Sequence, residues 1–476
     1  MGRVNAEPTL QEGAIHEPVR CMAVLSAGFA CVSGLLLGYD VGVTNGALGP
    51  LQRTFQLNPH QKGLFAGLLN LWALPGCLLA GKVADRVGRR RAIAIGSLFF
   101  LVGNILMTFG PHFGLLLVGR SFAGFAVGLT LVTEPLYTAE ASPARLRGML
   151  NTNVEISFNV GILLGFTASW ALDGLHYTTS WRWMFGMCIF APILSLAGVV
   201  CVLPESPRWL ASRGQLKEAQ QSLDKLLGPR EALASLELMK AQIDEFEFHE
   251  PIMSLKEMLC TRKHVQLLFI GCGVAFFSQA CGIESVMYYS SSIFEEGGLS
   301  RSAMLLATML MGVVKVGAII FQGAVVDGCG RRPLLALSNL GLGLSMFALS
   351  ASFIFNTDWH FKVVPIYTYI IFFSLGVGPI VYTYNAELYP TNMRPNALSL
   401  ALGVGRVMSA LVACSFPTLA ASPLDYSGTF GLFGVMSLIG VVFVLTIVRE
   451  TAGRSLDQQG WDSDASGDSD TSTDSS

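Results

Sequence analysis

The chain has 476 residues, 52% of them hydrophobic and only 13% charged, with 31 basic against 33 acidic side chains and a formal net charge of −2. That charged fraction is about half the ~25% of an ordinary soluble protein. A water-facing domain cannot bury so much apolar surface, which leaves an integral membrane protein, and no nucleic-acid partner is expected.

In chain order, residues 1–21 are polar, contain two prolines and lack the apolar core of a cleavable signal peptide. Met1-Gly2 opens like a myristoylation site, but Ala6 stands where that pattern wants Ser or Thr. Twelve apolar stretches follow, near 22–45, 63–81, 92–110, 113–138, 149–172, 184–203, 266–290, 302–326, 334–355, 363–385, 396–420 and 427–448. Each is long enough to cross the hydrocarbon core, which takes roughly 20 helical residues. They divide the chain into an N-terminal segment 1–21, a six-span half 22–203, a loop 204–263, a second half 264–448 and a tail 449–476. Within the loop, Leu216, Ala219, Leu223, Leu226 and Leu227 recur at helical spacing, which predicts short amphipathic helices on the membrane face, first of all as a packing platform between the halves. From Gln458 onward the tail is Ser, Thr, Asp and Gly almost throughout, a composition that predicts disorder. Its Ser-Asp pairs serve first as solubilising charge and otherwise as phosphate acceptors for kinases.

Loop signatures repeat between the halves. GKVADRVGRRR from Gly81 returns 242 positions later as GAVVDGCGRRP from Gly323. Glu140 and Arg147, seven apart, return as Glu387 and Arg394 at an offset of 247, and PESPRWL from Pro204 returns as RETAGRSL from Arg449 at 245. Three markers in one order define two parallel halves. Lys82, Arg86, Arg89, Arg90, Arg91, Arg145, Arg147, Arg331 and Arg332 all follow even-numbered spans. Positive loops stay cytoplasmic, so both termini and the 204–263 loop are predicted in the cytosol. The opposite loops, such as 46–60, are short and carry few charges, and no Asn-x-Ser/Thr sequon occurs. Ten scattered cysteines, with no CxxC pair or His cluster, read as packing residues. No metal or cofactor is expected. No nucleophile and base pair or nucleotide loop appears, so an enzyme is not expected.

The paired GxxxDRxGRRR and DGxGRRP loops, PESPRWL, and PxYxAExxPxxxRG at Pro135–Gly148 together resemble the sugar porter family of the major facilitator superfamily, over about residues 22–456. LLGYDVGVTNGAL at Leu36, GLLNLWAL at Gly67, NVGILLGF at Asn159 and SQACGIESVMYYSSSIF at Ser278 are similar to its plant-type polyol and inositol branch, which is proton-coupled. The resemblance implies an all-α membrane fold of twelve helices in two six-helix bundles around a central sugar site. It implies a plasma-membrane carrier, with a vacuolar or other endomembrane as the alternative.

Charges inside the spans carry the functional reading, since each costs at least about 2.5–3.5 kcal/mol at the bilayer centre. Asp40 in span one and Arg120 in span four lie in otherwise apolar segments and are expected to face each other. In the family resembled, the aspartate of the GYD run takes up the proton and the span-four arginine modulates it; a permanent structural pair is the alternative. Desolvation and a guanidinium act on a carboxyl group in opposite directions, so relative motion of the two releases and captures a proton. The resemblance also implies substrate contacts at Glu155, Gln279, Glu284, Tyr289, Lys315 and Tyr382, with an ion pair between Glu284 and Lys315 that either binds substrate or fastens spans seven and eight. Ser278, Tyr382 and Gly405 depart from the hexose pattern, which argues for a substrate other than plain glucose. On the cytosolic face Asp85, Arg89, Arg90, Glu140, Arg147 and Glu205, with Asp327, Arg331, Arg332, Glu387, Arg394 and Glu450, are expected to form ion pairs that latch the outward-open state. Glu134, where related porters tend to be neutral, reads first as a satisfied structural carboxylate, with the pocket mouth or a pair with Arg120 as the alternatives. The chain is thus expected to be a proton-coupled symporter of a polyol, inositol or monosaccharide. The alternatives are a facilitative hexose uniporter and a non-transporting sugar sensor; such sensors carry long cytosolic tails, whereas about 27 residues follow the last signature here.

Overall fold

A computed structural model of the chain describes residues 21–141, 147–229, 232–233, 235–239, 253–390 and 392–451, without the side chains of 21–27, 29–30, 147–152 and 324–329. The N-terminal segment, the acidic tail and the side chains of Arg147 and Asp327 therefore lie outside the described residues. Within them the chain is helical, with no strand. Span one is Cys21–Phe55, two Pro59–Val87, three Arg89–Phe109, four Phe113–Ala141 and five Arg147–Ala171. Span six is broken into Tyr177–Met187 and Phe190–Cys201, seven into Arg262–Ala280 and Ile283–Glu296, and ten into Trp359–Leu375 and Val377–Leu388. Eight is Arg301–Cys329, nine Arg331–Ile354, eleven Arg394–Ala420 and twelve Asp425–Thr446. Eleven of these are apolar and long enough to cross a membrane by the described residues alone; span one, with 35 residues, makes the twelfth. The protein is an all-α, multi-pass membrane protein of two six-helix bundles.

The two boundaries that differ most from the sequence expectation do so for identifiable reasons. Span one continues ten residues past 45 despite Gly46, Gly49 and Pro50, because Ala47, Leu48 and Leu51 are wholly buried. Packing there overrides weak helix propensity. Span six starts at Tyr177 instead of 184 because the polar turn that opens it is used internally. Arg182 donates to the carbonyls of Thr108 (2.9 Å) and Gly110 (3.1 Å), satisfying the open C-terminus of span three.

Helices in lipid gain little from hydrophobic exclusion and associate by close packing of small residues. Spans one and five do this with Gly38 and Gly42 against Gly161 and Gly165: a Cβ on Gly165 would stand 2.6 Å from the Tyr39 carbonyl oxygen and 2.6 Å from the Val43 nitrogen. Only glycine permits that approach, and it fixes span one, with Asp40 on it, within its bundle.

The predicted amphipathic helix is present as Leu216–Leu226, its Ala219, Leu223 and Leu226 buried. It seats on the first half: Leu226 packs with Ile93, Tyr137, Val199 and Leu203, and Ser222 donates to the Glu205 carbonyl (2.6 Å). The far end of the loop attaches to the second half, where Asn396 donates to the Met253 carbonyl at 2.8 Å.

Candidate transport site

Asp40 and Arg120 meet as expected from sequence. One guanidinium nitrogen, Nη1, contacts both carboxylate oxygens at 2.8 and 2.7 Å, and both side chains are essentially sealed, at 1% and 0% exposure. Nε donates to the Phe65 carbonyl (3.2 Å), and the Phe65 ring lies 5.1 Å from the guanidinium carbon. The remaining nitrogen, Nη2, has no hydrogen-bond partner. A guanidinium with one unsatisfied nitrogen in an apolar bundle depends on that carboxylate for its charge balance.

A second polar group occupies the junction of the halves. Asn70 of span two donates to Glu284 of span seven (3.3 Å) and accepts from Arg406 of span eleven (3.2 Å). Arg406 reaches the Tyr382 hydroxyl at 3.4 Å, and Ser409 donates to Gln279 at 2.9 Å. The break at Cys281–Gly282, where Gly282 is left-handed at φ 91°, sets Gln279 and Glu284 on either side of the gap in span seven. Glu155 accepts from Asn159 of its own helix (3.4 Å).

The expected Glu284–Lys315 ion pair does not form: no nitrogen–oxygen contact within 4.0 Å joins them. Lys315 instead lies between the rings of Phe158 (5.8 Å) and Phe373 (5.7 Å), with the Met287 sulfur at 3.7 Å. Glu284 accepts from the Asn70 amide across the junction, while Arg406 and Lys315 act on it only through space, as Lys315 does on Glu155. Tyr289 also stands apart from the polar group. Its hydroxyl is committed to the Ala413 carbonyl (2.8 Å) and its ring stacks on Phe416.

The arginine loops repeat their geometry as well as their sequence. Arg89 grips Glu140 through Nε (2.9 Å) and Nη2 (3.0 Å) and also takes Asp85 at 2.9 Å. Arg331 takes Glu387 at 3.2 Å. Glu205 and Glu450 differ from expectation in accepting backbone N–H groups at the starts of spans three and nine. Arg90 N bonds Glu205 at 3.0 Å; Arg331 N and Arg332 N bond Glu450 at 2.9 and 3.0 Å. Each carboxylate thus caps a helix N-terminus and meets its partial positive charge. Gly88 (φ 95°) and Gly330 (φ 76°) are required beside them, because the backbone is left-handed and the carboxylate fills the space a Cβ would take. The side chains of Arg90 and Arg332 donate to carbonyls at the ends of spans six and twelve. Arg394 is a correction: it bonds only the Tyr389 carbonyl beside it, at 3.2 and 3.1 Å, and no acid. Ser206 and Thr451, which donate to Glu140 and Glu387, were missed. Their signal was in the sequence, since they are 245 positions apart, the offset of the motifs that contain them.

Between described residues, the hydrogen bonds that join the halves lie at the midplane, through Asn70, and at the face opposite the arginine loops. At that face Asn45 bonds the Met287 carbonyl (2.7 Å), Ser290 (2.6 Å) and Ser291; Lys62 bonds Ser292 (3.0 Å); and Arg301 meets Asp173. That face is sealed.

Two bundles joined along a polar seam, sealed at one face and carrying a buried ion pair in one half, define a membrane carrier. The chain matches the family "Sugar (and other) transporter" over residues 27–462 and belongs to it. It is 36% identical over 459 residues to polyol transporter 5 of Arabidopsis thaliana, covering 91% of this chain and 85% of that one. It is 35% identical over 455 residues to probable polyol transporter 4 of the same plant, covering 94% and 86%. Among solved structures, the major facilitator proton:xylose symporter XylE of E. coli, bound to 6-bromo-6-deoxy-D-glucose, superimposes with a TM-score of 0.76 at 25% identity, covering 92% of this chain and 98% of that one. The fold is that of the major facilitator superfamily.

Proposed function

We propose that the protein is a proton-coupled symporter of a polyol, inositol or monosaccharide, working by alternating access with both termini in the cytosol. The observation that carries this reading is the sealed Asp40–Arg120 pair: a carboxylate held by one guanidinium in an apolar bundle gains or loses its proton when that guanidinium moves. The relatives named polyol transporters and the superimposed proton:xylose symporter support substrate class and coupling alike. With the arginine loops in the cytosol, the face at which the described residues bond the halves together is the external one, which supports reading an inward-facing state. The arginine–glutamate clusters are formed within each half here and are then assigned to presenting the two loop faces that meet across the seam when the cycle turns outward; Arg89→Ala is expected to raise cytosolic labelling of a cysteine placed in the pocket.

Substrate is assigned to the group at the junction. Glu155 and Glu284 each accept two hydroxyl hydrogen bonds, which suits a vicinal diol. Gln279, Asn70, Arg406 and Lys315 supply donors from both halves, so a chain of hydroxyls spans the seam and reports its occupancy to each. A proton entering down 100 mV yields about 2.3 kcal/mol, and each pH unit adds about 1.4 kcal/mol. Together these sustain accumulation of a few hundredfold. The test is radiolabelled uptake of a sugar and polyol panel in a transport-deficient host, with and without a protonophore. Uptake that runs uphill and collapses with the protonophore is expected; uptake of the preferred solute that equilibrates regardless of protonophore would show a uniporter.

A further inference from the structure

Glu134 is the one charged residue inside the first half that the reading above leaves unused. It sits on span four, 4% exposed. Its oxygen Oε1 has no hydrogen-bond partner, and the Ser33 hydroxyl of span one is the side chain that bonds it. The elements packed against span four carry, among the described side chains, Cys31, Tyr39, Asp40, Arg53, His60, Lys62, Cys77, Lys82, Asp85, Arg86, Arg89, Arg90, Arg91, Glu155 and Arg208, and none of them bonds it. Arg120 and Glu140, on its own helix, do not either. An unpaired carboxylate is costly in such a place, so the buried, half-bonded side chain is suited to carrying a proton.

Its position gives that proton somewhere to come from and somewhere to go. Ser33 and Asp40 are seven residues apart on span one, hence on one face and about 10 Å apart along it. Glu134 therefore lies in the same seam between spans one and four as the Asp40–Arg120 pair, nearer the arginine-loop face by about two turns along span one and, being 14 residues past Arg120, about four along span four. One turn further on, Thr138 shares its stripe of span four, is 2% exposed, and likewise has a hydroxyl oxygen with no partner. Ala141 ends the helix three residues later. Two unpartnered polar atoms thus line up between the ion pair and the end of the span. Pro135, beside Glu134, removes the amide that would bond the Leu131 carbonyl and leaves the helix able to bend there.

We propose that Glu134 is a second proton-binding group of this carrier, which receives the proton released from Asp40 and passes it to water at the arginine-loop face. This rests on the symport reading. The proton is conserved throughout: Asp40 returns to carboxylate against Arg120, Glu134 holds the proton in transit, and water at the arginine-loop face takes it.

The test uses purified full-length protein in liposomes with the solute that the uptake panel identifies. Glu134→Gln keeps the shape and the Ser33 hydrogen bond but cannot give up a proton. It is expected to slow uptake driven by an imposed pH gradient at least tenfold, to leave equal-pH exchange within twofold of wild type, and to remove one titrating limb from the pH profile of driven uptake. Glu134→Asp is expected to restore part of the rate. Wild-type driven uptake and an unchanged pH profile in Glu134→Gln overturn the proposal. So does a parallel loss of exchange and driven uptake, which marks a structural carboxyl group. If wild type itself does not respond to the gradient and Asp40→Asn matches it, the symport reading has failed and takes this assignment with it, a result distinct from a defect confined to residue 134.

Discussion

The buried pair makes an asymmetric prediction about stability. In Arg120→Gln, Asp40 loses the guanidinium at 2.7–2.8 Å but has an escape, since a carboxylate can bind a proton. Aspartate in the unfolded chain titrates near pH 3.9, so a folded variant in which Asp40 has bound a proton loses stability as pH rises and regains it on acidification. Asp40→Asn leaves the converse problem without an escape. Arginine does not shed its proton, so an uncompensated charge at 0% exposure costs about 3–5 kcal/mol at every pH from about 5 to 8. The assay is thermal melting in detergent from pH 5 to 8, each variant read against the wild-type curve. Arg120→Gln is expected to approach wild type at acid pH, and Asp40→Asn to stay a constant distance below it. Parallel curves for the two variants would refute the account of the pair.

Further outcomes follow from other contacts. Gln279→Ala should raise KM about three- to tenfold at unchanged maximal rate, as one substrate hydrogen bond contributes about 0.5–1.5 kcal/mol; an unaltered KM removes Gln279 from the pocket. Gly165→Ala, whose Cβ would press on the Tyr39 carbonyl and the Val43 amide at 2.6 Å, should lower the melting temperature by an amount corresponding to about 1–3 kcal/mol. Gly49→Ala, with nothing within 4 Å, should not. Glu205→Gln and Glu450→Gln should each cost about 0.3–1 kcal/mol through the lost charge at a helix N-terminus, and additively, because they lie in different halves; a strongly non-additive double variant would mean that the caps communicate.

What the sequence showed and what it hid have physical causes. The spans were legible because hydrocarbon demands a fixed length of apolar helix, and the halves because loop signatures keep their spacing while lipid-facing residues drift. Asp40 and Arg120 stood out for the same reason: two charges in apolar surroundings need each other. The partners of Glu284 were not legible. Its neighbours Asn70 and Arg406 come from spans two and eleven, brought together only by the packing of the halves, and the single Asn in GLLNLWAL carries no charge to mark it. Lys315 was misjudged because proximity on consecutive spans does not fix direction; two aromatic rings and a thioether hold its ammonium away from the acid. Glu205 and Glu450 were legible as acids of the arginine loops, but their backbone partners were not. A backbone N–H at a helix start leaves no trace in side-chain identity except the glycine that makes room, and Gly88 and Gly330 were that trace.

The central claim is that solute entry is tied to proton entry through Asp40. Its most direct test is a pH electrode in a lightly buffered suspension of cells expressing the protein, with the preferred solute of the uptake panel added without energy source. The account predicts alkalinisation of the medium on addition, abolished in Asp40→Asn while solute exchange continues. A medium that stays at constant pH while the same cells take up that solute would contradict it.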